Sequence, residues 1–261
     1  MNLQSHTKNL IKSIFFKSNN AIQRRYISKS IALCKTIPDN AKSKSSHEWL
    51  QRQINDVYVK KSRYHGYRCR SAYKLLEIDE KYNILKTGYS VVDCGAAPGS
   101  WTQVVVNKLK LDRPLKDGSA HPNVAVSVDL QRMEPIKGAF ILSESDFTSS
   151  LTQEEIWKIL PGGKANVVLS DMAPKATGTY ELDCSSIINL VYNALRFATV
   201  TLKKDGVFLC KVWDSRDVEM FVKTLDSLFT SVKRVKPKAS RMDSAELFLL
   251  ARGYKCNKFI K

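Results

Sequence analysis

Short apolar runs alternate with stretches of helical periodicity along the chain from residue 90 onward. Runs that are apolar throughout are typical of strands buried on both faces of a parallel sheet, because helices cover both faces of such a sheet. The pattern predicts an α/β fold, a doubly wound sheet of seven parallel strands with helices on both faces. The predicted strands are 90–94, 124–129, 140–143, 166–171, 207–213, 232–235 and 246–251, and the predicted helices are 71–82, 101–108, 152–160, 185–202 and 216–228.

Composition adds size and charge to this pattern. The chain has 261 residues, 43% of them hydrophobic, so it is long enough to bury a sizeable core. No run approaches the roughly 18 to 20 apolar residues that a membrane-spanning helix needs, so we expect no span. The 42 Lys and Arg residues against 25 Asp and Glu give a net charge of +17, which favours an anionic partner such as nucleic acid or an acidic membrane surface. Residues 1–46 carry +8 of this charge, 47–74 carry +5, and 75–261 only +4.

The N-terminal segment has the composition of a mitochondrial transit peptide. The first 38 residues contain no acid and many Ser, Lys and Arg residues, which is typical of such peptides. The apolar residues that can share one side of a helix are Leu3, Leu10, Ile11, Ile14 and Phe15. We therefore predict a transit peptide and basic leader over 1–46, cleavage after Tyr26, and a mature protein in the mitochondrial matrix. The alternative is a disordered basic arm that contacts RNA directly.

The cysteines and histidines do not have the spacing of a metal site. The six cysteines form no CxxC pair, and the four histidines form no HExxH motif, so neither a zinc site nor a disulfide framework is expected. This usage favours a reducing compartment. Cys94 and Cys210 lie within apolar runs, and we expect both to be small buried hydrophobic residues.

A strand, a turn of small residues and the start of a helix follow one another over 91–101, with the sequence V-V-D-C-G-A-A-P-G-S-W. Small residues let the backbone approach a ligand closely, and the open amides of a helix N-terminus can face that ligand. The turn lacks the GxGxxG fingerprint of a dinucleotide site. Taken alone, it indicates only a nucleotide-like ligand.

Two aspartates follow the next two predicted strands. Asp129 lies thirty residues after Gly99, and an intervening loop predicted at 112–123 lengthens the roughly 20-residue spacing typical of a ribose-binding acid. Asp146 follows the third strand, and its short carboxylate can accept a hydrogen bond from the exocyclic amine of an adenine. The alternative for both residues is an aspartate that only stabilises a turn.

These features together resemble a known family. The run 93–101, D-C-G-A-A-P-G-S-W, resembles the D-L-G-A-A-P-G-G-W signature of the FtsJ/RrmJ family of S-adenosylmethionine-dependent RNA 2′-O-ribose methyltransferases, with Cys94 and Ser100 as small departures. The resemblance covers 47–254 and implies a Rossmann-like methyltransferase sheet with S-adenosylmethionine as cofactor. By this resemblance Asp129 takes the ribose of the cofactor and Asp146 its adenine. The residues implied on the methionine side are Pro98, Gly99, Ser100 and Trp101.

The Lys-Asp-Lys-Glu tetrad of that family has four matching contexts here. Two of these contexts are the run 70–75, R-S-A-Y-K-L, which resembles the R-S-R-A-x-x-K-L element, and the run 170–174, S-D-M-A-P, which resembles the element at the end of the fourth strand. The other two are the run 209–213, L-C-K-V-W, which resembles the element of the fifth strand, and the residues S-R and A-E-L within 240–247, which resemble the S-R-x-x-S-x-E element. The resemblance implies the tetrad Lys74, Asp171, Lys211 and Glu246, with Asp171 assigned to the cofactor site as well.

Three tetrad residues also stand out without the resemblance. Asp171, Lys211 and Glu246 lie within or beside apolar strand runs, where a charge is costly unless it is paired. On parallel strands they would converge at the carboxyl edge, where doubly wound folds bind ligands. The alternative is a purely structural set of ion pairs. The implied reaction is an in-line methyl transfer in which Lys211 removes the proton of the ribose 2′-hydroxyl.

Residues 47–70 interleave basic and aromatic residues directly before the 71–261 domain. Basic groups neutralise phosphates and aromatic faces stack on bases, so we predict an RNA-binding extension. Its alternative is a solvated basic surface with the aromatic rings packed inward. The segment also resembles the W-L-x-R-Q-x-x-D-x-Y-V element of the ribosomal-RNA members of the family.

The resemblance therefore implies a methyltransferase that acts on the assembling mitochondrial large ribosomal subunit, on a uridine near the peptidyl transferase centre of its rRNA. The sequence does not determine the oligomeric state, and we expect a monomer. One alternative is the same chemistry on tRNA or an mRNA cap, which the compact chain and the leader disfavour. The other is an RNA-binding ribosome-assembly factor whose catalysis is dispensable, which the complete tetrad disfavours.

Overall fold

The computed structural model describes residues 54–115, 117–174 and 177–256. The predicted leader with its cleavage site, and the first part of the predicted RNA-binding extension, lie outside these ranges. The helices are α1 (Val57–Tyr64), α2 (Ala72–Tyr82), α3 (Ser100–Leu109), α4 (Ser150–Ile159), α5 (Tyr180–Thr201) and α6 (Arg216–Leu228). The strands are β1 (Val91–Cys94), β2 (Ala125–Val128), β3 (Ala139–Leu142), β4 (Ala165–Ser170), β5 (Leu202–Trp213), β6 (Phe229–Val235) and β7 (Glu246–Tyr254).

All seven strands belong to one sheet in the order β3-β2-β1-β4-β5-β7-β6. Strands β1 to β5 are parallel where they pair. The chain proceeds outward in one direction from β1 to β3 and in the other from β4 to β6, and β7 then returns between β5 and β6, so the switch point lies between β1 and β4. Doubly wound folds bind ligands beyond the carboxyl ends of the strands at this point. The predicted seven-stranded α/β fold is confirmed.

The expectation of an entirely parallel sheet is wrong for β7, which runs antiparallel to both β5 and β6. A parallel return needs a crossover of about a dozen residues or more. Only 236–245 separate β6 from β7, and they contain no helix, so the chain reverses directly. As a consequence Glu246, the first residue of β7, pairs with Trp213, the last residue of β5. Glu246 therefore reaches the carboxyl edge of the parallel strands from the opposite direction.

Every predicted strand and helix is present, and the differences lie at their ends and in α1. Strand β5 begins at Leu202 instead of 207, and α5 begins at Tyr180 instead of 185. Helix α1 was not predicted because it has no apolar stripe, and only Ser62 on it is buried. Its start is fixed by Asp56, whose carboxylate accepts hydrogen bonds from the amides of Tyr58 and Val59. No helix in the described ranges is long and apolar enough to cross a bilayer.

Helices cover both faces of the sheet, as the apolar runs predict. Helices α2 and α3 pack on one face, with a core that includes Leu75, Ile78, Trp101, Val104, Leu169, Leu209 and Phe248. Helices α4, α5 and α6 pack on the other face, with a core that includes Val92, Ile156, Val191, Phe197, Phe208 and Phe221. Cys94 and Cys210 are buried in this second core, which confirms their prediction as buried hydrophobic residues.

Candidate active site

The turn between β1 and α3 is shaped by two glycines that no other residue can replace without strain. Gly95 has φ +75° and Gly99 has φ +106°. A Cβ on Gly95 would lie 2.6 Å from Met172 Cγ and 2.8 Å from its backbone, and one on Gly99 would lie 2.6 Å from Arg68 Nη1. Gly99 also caps α3, whose first amides have no intrahelical partners. The turn thus places open backbone donors of α3 at the carboxyl edge of the sheet, where a ligand could accept from them.

Two of the predicted turn residues have buried side chains that contact other parts of the protein. Ser100 and Trp101 are each 2% exposed. The Ser100 hydroxyl lies 2.7 Å from Ser71 Oγ, and the indole Nε1 of Trp101 donates to the Ser71 carbonyl oxygen at 2.8 Å. The indole packs on Phe248, with ring centroids 5.7 Å apart. Pro98 is exposed at the rim of the turn. The family resemblance implies that all of these residues line the cofactor, but it does not say whether a residue does so with its amide or with its side chain.

Asp129 lies directly after β2 and is bound to the same turn. One carboxylate oxygen accepts from the Ala97 amide at 2.9 Å, and the other accepts from the Gln131 amide at 2.7 Å. Each carboxylate oxygen has two lone pairs, so both oxygens retain one acceptor position. Asp129 can therefore accept from two further hydroxyl groups, which is the demand that a ribose makes.

Asp146 is exposed, and its carboxylate already stabilises a turn. Its Oδ1 accepts from both the amide and the hydroxyl of Thr148, each at 2.8 Å. The structure thus contains the turn contact that was the alternative for this residue. The second oxygen, Oδ2, makes no hydrogen bond with the residues that the structure describes.

Asp93 is a buried carboxylate that sequence reasoning did not single out. Burial raises its pKa to about 7, a shift that the Thr102 hydrogen bond opposes and the charges of Asp171 and Asp129 reinforce. Oδ2 accepts from the Thr102 hydroxyl at 2.8 Å, whereas Oδ1 has no partner in the described part of the chain. The available signal was its place inside the apolar run Val91–Cys94. Asp93 therefore stabilises the end of β1, directly before the turn, best when it is protonated.

Lys211 and Asp171 form an ion pair between β5 and the residue after β4. The Lys211 Nζ lies 2.8 Å from Asp171 Oδ1 and donates a hydrogen bond to the Asp171 carbonyl oxygen, also at 2.8 Å. Their side chains are 10% and 17% exposed. The Asp171 amide donates to the Cys94 carbonyl oxygen, which connects this pair to the strand that enters the glycine turn.

Lys74 and Glu246 form a second ion pair. The Lys74 Nζ lies 2.6 Å from Glu246 Oε2, and the side chains are 15% and 12% exposed. The other oxygen of Glu246 accepts from the Ser240 hydroxyl at 2.8 Å. Lys74 comes from α2, so helix and strand each supply one partner.

Both ion pairs lie on the same face of the sheet. Lys211 stands directly opposite Phe248 in the β5–β7 ladder, and Glu246 is two residues before Phe248. Residues opposite each other in a ladder carry their side chains on one face, and residues two apart on a strand share a face. The Lys74 Nζ lies 5.8 Å from the centroid of the Phe248 ring. The structure thus brings all four predicted tetrad residues to one end and one face of the sheet.

The basic residues in the described part of the predicted RNA-binding extension divide into two groups. Those exposed on α1 are Lys60, Lys61 and Arg63. Arg68 and Arg70 instead bind protein groups: Arg68 donates to two carbonyl oxygens, and Arg70 pairs with Asp56 at 2.5 Å and donates to the Ala239 carbonyl oxygen.

The aromatic residues of this extension divide in the same way. Tyr64 is 87% exposed, whereas Tyr58 and Tyr67 are half-buried and pack around Tyr73. The sequence offered exposed or inward-packed rings as alternatives, and the structure contains both.

Comparisons with known proteins identify relatives across most of the chain. The family model FtsJ-like methyltransferase matches residues 67–254. The chain is 50% identical over 220 residues to a Drosophila melanogaster protein named rRNA methyltransferase 2, mitochondrial, covering 84% of this chain and 87% of the relative. It is 44% identical to the Caenorhabditis elegans protein of the same name, covering 80% and 94%.

A bacterial relative and a solved structure extend these comparisons. Ribosomal RNA large subunit methyltransferase E of Parvibaculum lavamentivorans is 43% identical, covering 82% of this chain and 84% of the relative. A crystal structure described as a ribosomal RNA methyltransferase of Plasmodium falciparum superposes with a TM-score of 0.62 at 25% identity, covering 72% of this chain and 98% of that one.

Proposed function

Because the chain belongs to the FtsJ-like methyltransferase family, we propose that it transfers a methyl group from S-adenosylmethionine to a ribose 2′-oxygen of ribosomal RNA. The observation that carries this proposal is the arrangement of two ion pairs, Lys211 with Asp171 and Lys74 with Glu246, beside a glycine turn at the carboxyl edge of the sheet. The names of the fly, worm and bacterial relatives support rRNA as the substrate.

The donors and acceptors around the turn fit S-adenosylmethionine. The amides of Ser100 and Trp101 at the start of α3 suit the carboxylate of the methionine part, because a helix N-terminus favours a negative group. The two remaining acceptor positions of Asp129 suit the two ribose hydroxyls. The unengaged Oδ2 of Asp146 suits the exocyclic amine of the adenine.

S-adenosylmethionine, when bound, supplies a methyl group that its sulfonium charge already activates. The remaining tasks fall to the protein: alignment of the ribose 2′-oxygen and removal of its proton. We assign proton removal to Lys211. Lys211 is held in place by its contacts with the carboxylate and the carbonyl oxygen of Asp171. Glu246 orients Lys74, and Asp171 orients Lys211.

The exposed residues of α1 support RNA binding by the extension. Lys60, Lys61 and Arg63 present three positive charges beside the exposed ring of Tyr64, a combination suited to phosphates and an unstacked base. We propose the organisation 1–46 leader, 47–70 RNA-binding extension and 71–261 methyltransferase domain. One chain supplies the turn and the tetrad, which supports a monomer.

Within ribosomal RNA, we propose as the specific substrate a uridine near the peptidyl transferase centre of mitochondrial large-subunit rRNA. It is methylated in the assembling subunit. The mitochondrial names of two relatives and the absence of acidic residues from the first 38 positions support the mitochondrial matrix as its location. N-terminal sequencing of the mature protein should find a start after Tyr26. A mature protein that begins at Met1 would contradict the predicted cleavage.

Mapping of ribose methylation in mitochondrial rRNA tests the proposed function. Cells that lack the protein should lose methylation at one position of the large-subunit rRNA, and the wild-type chain should restore it. Lys211→Ala should restore about a hundredth or less of the methylation rate, because general-base catalysis contributes about 10² to 10⁴. Lys203→Ala, on the exposed start of the same strand, is the matched control. Unchanged methylation in the cells without the protein would overturn the proposal.

A further inference from the structure

Arg68 lies in the basic extension but makes its contacts with the protein. Its Nη1 donates to the Pro98 carbonyl oxygen at 2.8 Å, and its Nη2 donates to the Pro135 carbonyl oxygen at 3.0 Å. Its own amide donates to the Gln103 side chain at 2.9 Å, and Gln103 in turn donates to the Gly66 carbonyl oxygen at 3.0 Å. Four hydrogen bonds therefore fix the segment around Arg68 onto α3 and the loops beside it.

The two carbonyl groups that Arg68 binds belong to separate loops. Pro98 lies in the glycine turn, and Pro135 lies in the loop between β2 and β3, which begins with Asp129. We assign the methionine part of the cofactor to the amides that the first loop leads into. We assign its ribose to the carboxylate of Asp129 in the second loop. Arg68 spans these two loops with one planar group, which sets the distance between them.

Gly99 is part of the same contact. A Cβ at Gly99 would lie 2.6 Å from Arg68 Nη1 and 2.8 Å from Ile136 Cδ1, so the guanidinium packs directly on the backbone of the turn. Burial lowers the pKa of Arg68, with the nearby charge of Glu134 acting in the opposite direction. By contrast, Arg63 on α1 is exposed.

We propose that Arg68 is a positioning residue for the cofactor, holding the turn and the β2–β3 loop at the spacing that S-adenosylmethionine requires, and is not a contact for RNA phosphate. This inference rests on the proposed function, since it assumes that S-adenosylmethionine binds between these loops. It removes one positive charge from the predicted RNA-binding surface and assigns it to the cofactor site.

Binding of S-adenosylhomocysteine to the full chain, measured by calorimetry without RNA, tests the proposal. Arg68→Gln should weaken binding about tenfold, since it loses two hydrogen bonds that each contribute modestly. Arg68→Lys keeps the charge but reaches only one carbonyl oxygen, so it should weaken binding about threefold. The control Arg63→Gln removes the same charge from the same extension and should leave S-adenosylhomocysteine affinity at the wild-type value.

Affinity for a transcript of the large-subunit rRNA separates the two roles. Arg63→Gln should weaken RNA binding and make it less dependent on salt, whereas Arg68→Gln should have the smaller effect. An Arg68→Gln protein with wild-type S-adenosylhomocysteine affinity and RNA binding as weak as that of Arg63→Gln would overturn the proposal.

Hydrogen exchange of the ligand-free protein distinguishes failure of this inference from failure of the proposed function. Arg68→Gln should speed amide exchange over 95–103 and 130–138, and Arg63→Gln should not. If the wild-type chain bound no S-adenosylhomocysteine, the proposed function would fail, and with it the role of Arg68 toward that cofactor. Unchanged exchange in Arg68→Gln, with cofactor binding intact in the wild type, would overturn the positioning role alone.

Discussion

The two halves of the carboxyl edge of the sheet hold their functional groups by different interactions. The half to which we assign the nucleoside of the cofactor, here named the nucleoside half, is formed by the ends of β1, β2 and β3. In it, main-chain amides bind Asp129 and glycines shape the turn. In the tetrad half, formed by the ends of β4, β5 and β7, lysines pair with carboxylates. A site built from backbone responds mainly to changes of shape, and a site built from ion pairs responds mainly to changes of charge.

The largest effect should come from removing one charge of the tetrad half. Glu246→Gln keeps an oxygen for the Ser240 hydroxyl but leaves the largely buried Lys74 ammonium without its partner. We expect the free energy of unfolding to fall by about 3 kcal/mol, because breaking a buried pair leaves an uncompensated charge. Urea unfolding at neutral pH measures this loss.

An exposed ion pair provides the matched control. Glu219 pairs with Arg234 at 2.5 Å, but their side chains are 64% and 41% exposed. Glu219→Gln should cost less than about 1 kcal/mol, because solvent screens such pairs. Equal losses in the two variants would show that burial does not distinguish the tetrad pair.

The nucleoside half contains the opposite case, a buried carboxylate without a cation. Since burial raises the pKa of Asp93 to about 7, the folded protein keeps this proton at pH values where the unfolded chain, with its ordinary value of 3.8, has lost it. The stabilisation is therefore full below about pH 4 and is lost as pH rises to about 7. Between pH 5 and pH 8 the free energy of unfolding should fall by about 2–3 kcal/mol from this group.

Asp93→Asn tests that assignment, because an amide of the same shape does not titrate. The difference in free energy of unfolding between variant and wild type, measured by urea unfolding, should move in favour of the variant by about 2–3 kcal/mol from pH 5 to pH 8. A difference that stays constant over this range would show that Asp93 does not titrate there in the folded protein.

The sequence predicted different features of the tetrad half and of the nucleoside half. Charges inside apolar runs identified Asp171, Lys211 and Glu246, but the choice of partners depends on register and on the direction of β7, which an apolar pattern does not encode. In the nucleoside half, small residues predicted the turn, but the side chains of Ser100 and Trp101 are buried, which leaves only their main-chain groups to face a ligand. Local pattern therefore locates a site, and tertiary packing decides which atoms face it.

In the basic extension, too, the sequence predicts which residues lie in a site but not which atoms they contact. Its composition predicted an RNA-binding surface, yet Arg68 and Arg70 bind carbonyl oxygens and Asp56. Nothing local distinguishes them from Arg63, because a guanidinium suits a carbonyl group as well as a phosphate. Helix α1 was missed for a related reason, since its stability depends on its cap and its packing against α2 and not on an apolar stripe.

Alanine substitutions at two glycines distinguish the effect of steric overlap on stability from the effect of backbone conformation. Gly95 and Gly88 both have positive φ, at +75° and +91°, but a Cβ on Gly88 would meet nothing within 4 Å. Both Ala variants should lose stability from the conformation. Gly95→Ala should lose about 2 kcal/mol more, because its methyl group overlaps Met172. It should also abolish S-adenosylhomocysteine binding, which Gly88→Ala should retain; equal behaviour in urea unfolding and calorimetry would contradict the steric argument.

The smallest effect concerns Asp146, where turn and ligand roles can be separated by two substitutions. Asn offers an oxygen to both groups of Thr148, so Asp146→Asn should keep the wild-type stability, whereas Asp146→Ala should lose about 1 kcal/mol with the turn contacts. Neither variant retains a carboxylate for the adenine amine, so both should bind S-adenosylhomocysteine about fivefold more weakly. Wild-type affinity in Asp146→Asn would mean that this aspartate only stabilises its turn. The nucleoside half would then bind the ligand through Asp129 and main-chain amides without a second carboxylate.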